Sequence, residues 1–373
     1  MIELNGETLK LAQVQAIADG ANVSLNPSGL ARMAEARKLI DAAVRDRTPV
    51  YGVTTGLGPR VVEALNEDEI AAFALSAVRG RAHSAGDDLP EAACRAAVGV
   101  RINTLLTGAA GARPEMAEYL AACLNAGLSP VIRGVGSIGA ADLMWGGDFG
   151  LALIGEGRMW RAGEVLAATD ALAGAGLAPF IPAPREGLAL VSHSSPSAAI
   201  AALGVGALSS LYDNADTATA LTLEGFRANL SAFDLDLLAL RPQAGQVEVS
   251  IRIMGLLNGS PLQQVGAARR LQDPLSIRNI PQVHGAFLAA LKGAQEAVEA
   301  EINGASDNPG VLIDRGEIAS HGGYLTPHLV ITLGALAQAT AQIAAVQAAR
   351  IGKMLAVRFT ELPNGLTSSG ATG

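Results

Sequence analysis

Residues 136–145 read GSIGAADLMW, and residues 146–157 continue GGDFGLALIGEG. Glycines crowd the start and an apolar helix follows. Asp142 stands where loop becomes helix, a place where an Asp carboxylate can accept backbone N–H groups. This loop-to-helix pattern sets the reading of the rest of the chain. Helix-period runs recur over residues 26–45, with Pro27 early in the run, and over 67–79, 90–107 and 114–126. They return over 187–213, 215–229, 246–257, 282–302 and 325–350. Strand patterns are few: an N-terminal strand or hairpin and a small pair near 158–165. The expected class is all-α with a minor β element. The proline-dense PFIPAPR at 179–185 suggests a boundary between a mixed, mostly helical domain (1–180) and a helical bundle (181–373).

Composition agrees with closely packed helices. Of 373 residues, 50% are apolar but only 3% are aromatic. Ala, Leu, Gly and Val must therefore fill the core. The net charge of −8, with no basic stripe, excludes a nucleic-acid surface. Cys94 and Cys123 both sit in apolar helical runs and read as buried thiols. The start, MIELNGETLKL, lacks a basic segment followed by an apolar one, so a cytoplasmic location is expected.

Residues 187–212 and 325–349 contain no Asp, Glu, Lys or Arg, and each exceeds the roughly 20 residues of a membrane span. They also hold Ser, Thr, Gln, His and Pro and have no aromatic belt, so both read as buried bundle helices, with no membrane. The 5 histidines show no metal-ligand spacing. YGVTTGLG, from Tyr51, lacks the ending of a phosphate-binding loop. No metal is expected.

Several motifs occur in a fixed order: YGVTTGLG, GARPEM from Gly111, GSIGA with DL and LALIGEG, EGLALV from Glu186, QDPLSIRNIPQVHG from Gln272, and SDNP from Ser306. Together they resemble the histidine and phenylalanine ammonia-lyase family over nearly the whole chain. The resemblance implies an aspartase/fumarase-like long-helix bundle, a homotetramer with active sites shared between subunits, and a small-molecule substrate. It also implies an Ala-Ser-Gly tripeptide that cyclises into a methylidene-imidazolone (MIO) electrophile. Here Gly139 is followed by Ala140, Ala141 and Asp142. The ring-forming serine is missing, and Ser137 lies earlier in the loop. No MIO is expected, and no other cofactor. Family members continue past the segment matching NGLTSSGATG, so a shortened chain is expected.

Carried over by motif, Tyr51 is the base that takes the β-proton. Arg278 binds the substrate carboxylate, Asn308 assists, and Gln272 is a further binding residue. Leu275 stands where the family often has tyrosine. Other residues keep two readings. His193, beside Ser192 in EGLALVSHS, either bonds an imidazole-thione or satisfies a buried network. Arg81 and His83, in RGRAHSAGDD, either recognise sulfur or carboxylate or form a solvated charge cluster. Asp142 either faces a trimethylammonium cation or caps its helix. Trp145 either offers an aromatic face to such a cation or fills the core.

MIO serves to activate an amine leaving group. A quaternary ammonium needs no activation, because it departs as a neutral amine. The sequence resembles the MIO-less branch, ergothionase, which releases trimethylamine from the betaine ergothioneine. The expected activity is that elimination. The alternatives are an MIO-independent ammonia-lyase or isomerase on an ordinary amino acid, and a non-catalytic scaffold.

Overall fold

The fold was derived from a computed structural model that describes residues 1–62 and 64–367. The chain divides into two units, the first formed by 1–206 and 296–330 and the second by 207–295 and 331–373. The expected break near residue 180 does not coincide with this division. PFIPAPR lies inside the first unit, tied there by buried Arg185, whose guanidinium donates to Ala110 O and Pro309 O, each at 2.8 Å.

The first unit opens with α1 (Leu11–Ala18) and α2 (Pro27–Arg45). Asn26 caps α2 by accepting the Ser28 N–H, and Pro27 occupies the first turn, where a missing N–H costs nothing. Next comes α3 (Glu67–Arg79), which starts with a reciprocal capping box between Asn66 and Glu69. Then follow α4 (Glu91–Leu105), α5 (Pro114–Asn125), α6 (Leu143–Leu153), α7 (Ala168–Ala173) and α8 (Glu186–Val191). Among the described residues every strand lies in this unit. The expected strand pair is present as Arg158–Arg161 against Glu164–Ala167, antiparallel, with Leu128–Pro130 on its other side. One small core gathers Ala36, Ile40, Ala43, Val50, Val53 and Val311 beneath the loop that carries Tyr51.

Two expected helices, 187–213 and 215–229, are arranged differently. The chain forms short α8, breaks at Ser192–Ser194, and then runs unbroken as α9 (Ser195–Phe226). Pro196 explains the break, because it fits the first turn of a new helix but has no N–H for the Ser192 carbonyl four residues back, and its ring crowds that carbonyl.

The second unit takes the later part of α9 and contains α10 (Leu235–Ala239), α11 (Gln246–Leu256) and α12 (Leu275–Arg278). Both units share α13 (Ile280–Asn303) and α14 (Pro327–Met354). Within the second unit Tyr212 stacks on Phe287 at 5.2 Å. Buried Arg350 donates to Thr219 Oγ1 at 2.7 Å and to Ser276 O at 3.1 Å, fixing α12.

By length and composition alone, the run Glu186–Phe226 and α14 could each cross a membrane. The first is a core helix, with 78% of its most apolar window buried. For α14 the figure is 17%, so the expectation that both are buried fails for it within a single chain. Leu329, Leu336 and Ile343 turn inward, while Val330, Ile331 and Ile351 are exposed among the described residues.

Candidate active site

The loop before α6 is built under tight backbone constraint. At Gly136 an added Cβ would sit 2.2 Å from the Trp145 ring. Gly139 has φ +72°, and Ala141 and Asp142, neither of them glycine, have φ 58° and 41°. Left-handed backbone at a non-glycine residue costs about 1–2 kcal/mol. Hydrogen bonds hold it here. Ala141 N–H donates to Tyr324 O at 2.9 Å, His193 N–H to Ala141 O at 3.1 Å, and Thr326 N–H to Gly139 O at 3.1 Å. The Asp142 carboxylate accepts Ser137 Oγ–H at 2.5 Å, and Ser197 N–H and Oγ–H at 2.8 Å each.

Glycines then bring three helices together on this loop. An added Cβ would lie 2.2 Å from Val191 O at Gly146, 2.3 Å from the Arg81 carbonyl carbon at Gly147, and 2.1 Å from Ala74 O at Gly187. Only backbone fits at these crossings of α6 and α8 with α3 and the segment after it. The crossings carry Arg81 and Ser192 to the Ala140–Ala141 turn.

The result is a cavity of about 210 Å³ lined by Tyr51, Arg81, Ser192, Asn308 and Tyr324, with Leu57, Ala140, Ala141, Leu143 and Leu188. A larger cleft of about 520 Å³, near Asp19, Arg95 and Arg161, holds none of the motif residues, so size alone does not locate the site. Gly58 N–H donates to the Tyr51 phenol oxygen at 3.3 Å. Burial lowers the pKa of Arg81, and its attraction to Tyr51 opposes that fall. An N–H donor thus meets the phenol oxygen, and the Arg81 cation shares the cavity with it.

Asn308 is positioned from behind. Its Oδ1 accepts His321 N–H at 2.8 Å. Its neighbour Asp307 is fully buried and takes two bonds from Arg101, at 2.9 and 2.8 Å. Burial works to raise the Asp307 carboxyl, but Arg101 and then Arg185 outweigh it and hold its pKa low. Arg101 also donates to Ala189 O at 2.6 Å, linking the SDNP turn to α8.

Other expected site residues lie elsewhere. His193 is fully buried, with Nε2 3.1 Å from Leu190 O and its ring edge-on to Phe149 at 5.2 Å. Burial, then the nearby Arg101 charge, push its pKa down to about 3, so it is a neutral core histidine and not a cavity group. His83 is exposed and does not line the cavity. Asp142, 1% exposed, does not face the cavity either; its own α6 receives no side-chain cap from it. Burial raises its pKa, and the serine bonds work against that rise. Trp145 is a buried core residue.

Arg278 and Gln272 belong to the second unit, where they meet each other. With the Gln272 amide turned so that its oxygen faces the guanidinium, it accepts from Arg278 Nη1 at 2.7 Å. Arg278 Nε also donates to Asp273 O at 2.9 Å. Among the described residues no three or more His, Cys, Asp or Glu cluster as metal ligands do.

The sequence pattern that defines the aromatic amino acid lyases matches residues 9–373. The chain belongs to the aromatic amino acid lyase family. This lyase is 33% identical over 371 residues to a histidine ammonia-lyase of Alkaliphilus metalliredigens, covering 99% of this chain and 73% of the relative. It is 36% identical over 372 residues to one of Anaeromyxobacter dehalogenans, covering 96% and 73%. In structure it is similar to the ergothioneine-degrading enzyme ergothionase of Treponema denticola, with TM-score 0.90, 27% identity, and 97% and 73% of the two chains covered. It is also similar to tyrosine aminomutase of Streptomyces globisporus, with TM-score 0.92, 28% identity, and 100% and 74% covered. The helical bundle of this lyase is the long-helix fold of the family.

Tyr324 is the cavity residue that the sequence reading missed. It sits in HGGYLTPH, a segment notable for its two histidines. The family resemblance places this segment near the site, but it is the bond from Ala141, far away along the chain, that brings Tyr324 itself to the cavity.

Proposed function

We propose that this lyase eliminates trimethylamine from a histidine-type betaine, with ergothioneine the best fit, and does so without a ring made from its own backbone. The observation that carries this reading is the Gly139-Ala140-Ala141-Asp142 turn, whose two alanines form part of the wall of the Tyr51 cavity. The family's ring needs a side-chain hydroxyl to lose as water, and Ala140 and Ala141 carry only methyls. The Ala141 N–H is already engaged with Tyr324 O. These residues do not fit the group, and no step passes through it.

The chemistry then rests on the substrate. Tyr51 is the base that takes the β-proton. The C–H electron pair becomes the Cα–Cβ double bond. The Cα–N bond breaks with its pair on nitrogen, and trimethylamine leaves neutral. The Gly58 N–H donates to the Tyr51 phenol oxygen, and Arg81 adds a positive charge to the same cavity. Arg278, braced by Gln272, suits a substrate carboxylate through a planar guanidinium. Asn308 and Ser192 are the neutral polar groups of the cavity. The exposed apolar window of α14, free of charge up to Ala349, supports assembly with further copies, as a homotetramer. A cytoplasmic location accords with this reading.

Identity of 33–36% to histidine ammonia-lyases favours a second reading, ammonia release from histidine by the same base. A single experiment separates them. The protein is incubated with ergothioneine, its sulfur-free analogue hercynine, and histidine, and amines and ultraviolet spectra are followed. The proposal expects trimethylamine with a conjugated acid from a betaine. Ammonia from histidine supports the second reading. No product from any of the three, together with no effect of Tyr51→Phe on any measured property, indicates a scaffold.

A further inference from the structure

We propose that Tyr324 is the aromatic wall that holds the substrate's quaternary ammonium, and so sets specificity for a trimethylated nitrogen. The inference rests on the elimination proposed above and names the group that meets its leaving nitrogen.

A buried cation needs a carboxylate or a π-face. Among the described residues lining the cavity, none is acidic. The acidic residue next in the chain to the turn, Asp142, is 1% exposed and spends its oxygens on Ser137 and Ser197. That leaves the rings of Tyr51 and Tyr324. Tyr51 has the proton to take, and Arg81 lies within electrostatic reach of it, which disfavours a second cation there.

Tyr324 is held against the part of the wall that suits methyl groups. Its carbonyl accepts the Ala141 N–H at 2.9 Å, Ala140 and Leu325 form a β-bridge, and Thr326 N–H reaches Gly139 O at 3.1 Å. The ring therefore projects from a segment bonded, residue by residue, to the turn where related lyases carry the electrophile. Ala140, Ala141 and Leu143 offer apolar contact to N-methyls there, and an aromatic face beside them attracts the charge they carry.

The test uses the full chain and two probes: ergothioneine, and an isostere in which a tert-butyl group replaces trimethylammonium. Each dissociation constant is measured by calorimetry in a Tyr51→Phe background, where the proposed base is absent, and trimethylamine release is followed separately with Tyr51 in place. For Tyr324→Leu the preference for the charged probe over the neutral one should fall about 10-fold, while Tyr324→Phe keeps it. Replacing Tyr324 with increasingly fluorinated phenylalanines preserves ring size and should lower the preference stepwise, which serves if the leucine variant does not fold. A preference unchanged by leucine or by fluorination overturns the inference. If the wild-type chain also releases trimethylamine, that result leaves the elimination reading standing. If the preference shifts as expected but no betaine is consumed, the elimination fails and the cation-binding role of Tyr324 holds.

Discussion

The carboxylate of Asp142 accepts both the amide N–H and the hydroxyl of Ser197, each at 2.8 Å. Ser197 lies in the first turn of α9, so Asp142 caps a helix other than the one it precedes. Loss of a cap costs about 0.5–2 kcal/mol, and a buried donor left unpaired adds about 1–3 kcal/mol. Asp142→Ala should lower stability in urea by about 2–4 kcal/mol, and Asp142→Asn, which keeps an acceptor, by roughly half that. A change below about 0.5 kcal/mol in the alanine variant removes the capping role.

Arg101 joins the SDNP turn to α8 through Asp307 and Ala189. Removing one partner of a buried ion pair leaves an uncompensated charge and costs about 3–5 kcal/mol. Arg101→Met should lose that amount. Adding Asp307→Asn should restore part of it, because the stranded charge is then gone. Simple additivity of the two losses in a double-mutant cycle contradicts a coupled pair.

Alanine is favoured over glycine inside a helix by about 1 kcal/mol where space allows. At Gly187 it does not, because the new Cβ meets Ala74 O at 2.1 Å. Gly187→Ala should therefore destabilise by about 2 kcal/mol or more. Gly293→Ala, in open space within α13, should not. Equal melting temperatures for the two variants would refute the close crossing of α3 and α8.

Burial pushes the His193 pKa down to about 3 in the fold, against about 6.5 in an unfolded chain. Between those values the unfolded chain holds a proton that the fold excludes. The histidine's contribution therefore weakens the fold as pH drops from about 6.5 toward 3, by up to about 1.4 kcal/mol per pH unit. His193→Phe should flatten this part of the profile of urea midpoint against pH. Identical profiles between pH 7 and pH 4 would mean that the histidine charges inside the fold.

Much of the frame is local and was therefore readable. Asn26 with Pro27 and Asn66 with Glu69 announce helix starts through side chains a few residues apart, and both helices begin there. Pro196 carried an equally local signal, but the apolar run around it hid the break before α9. Motifs pointed to two of the cavity residues, Tyr51 and Asn308, while Arg81 and Ser192 stood at departures from the family pattern, Arg81 with two readings open. Orientation was not readable. His193 and Asp142 flank the cavity in sequence yet turn inward to Leu190 O and Ser197, partners fixed only by helix packing. Tyr324 joins the cavity through a bond to Ala141 that spans much of the chain. Which side chains of α14 are exposed depends on packing, which composition does not reveal.

The most direct measurement is the identity of the amine released when the protein meets equal concentrations of ergothioneine and histidine. The account predicts trimethylamine, matched mole for mole by a conjugated ultraviolet-absorbing acid, and no ammonia. Ammonia from histidine at a catalytic rate, with no trimethylamine, would contradict it.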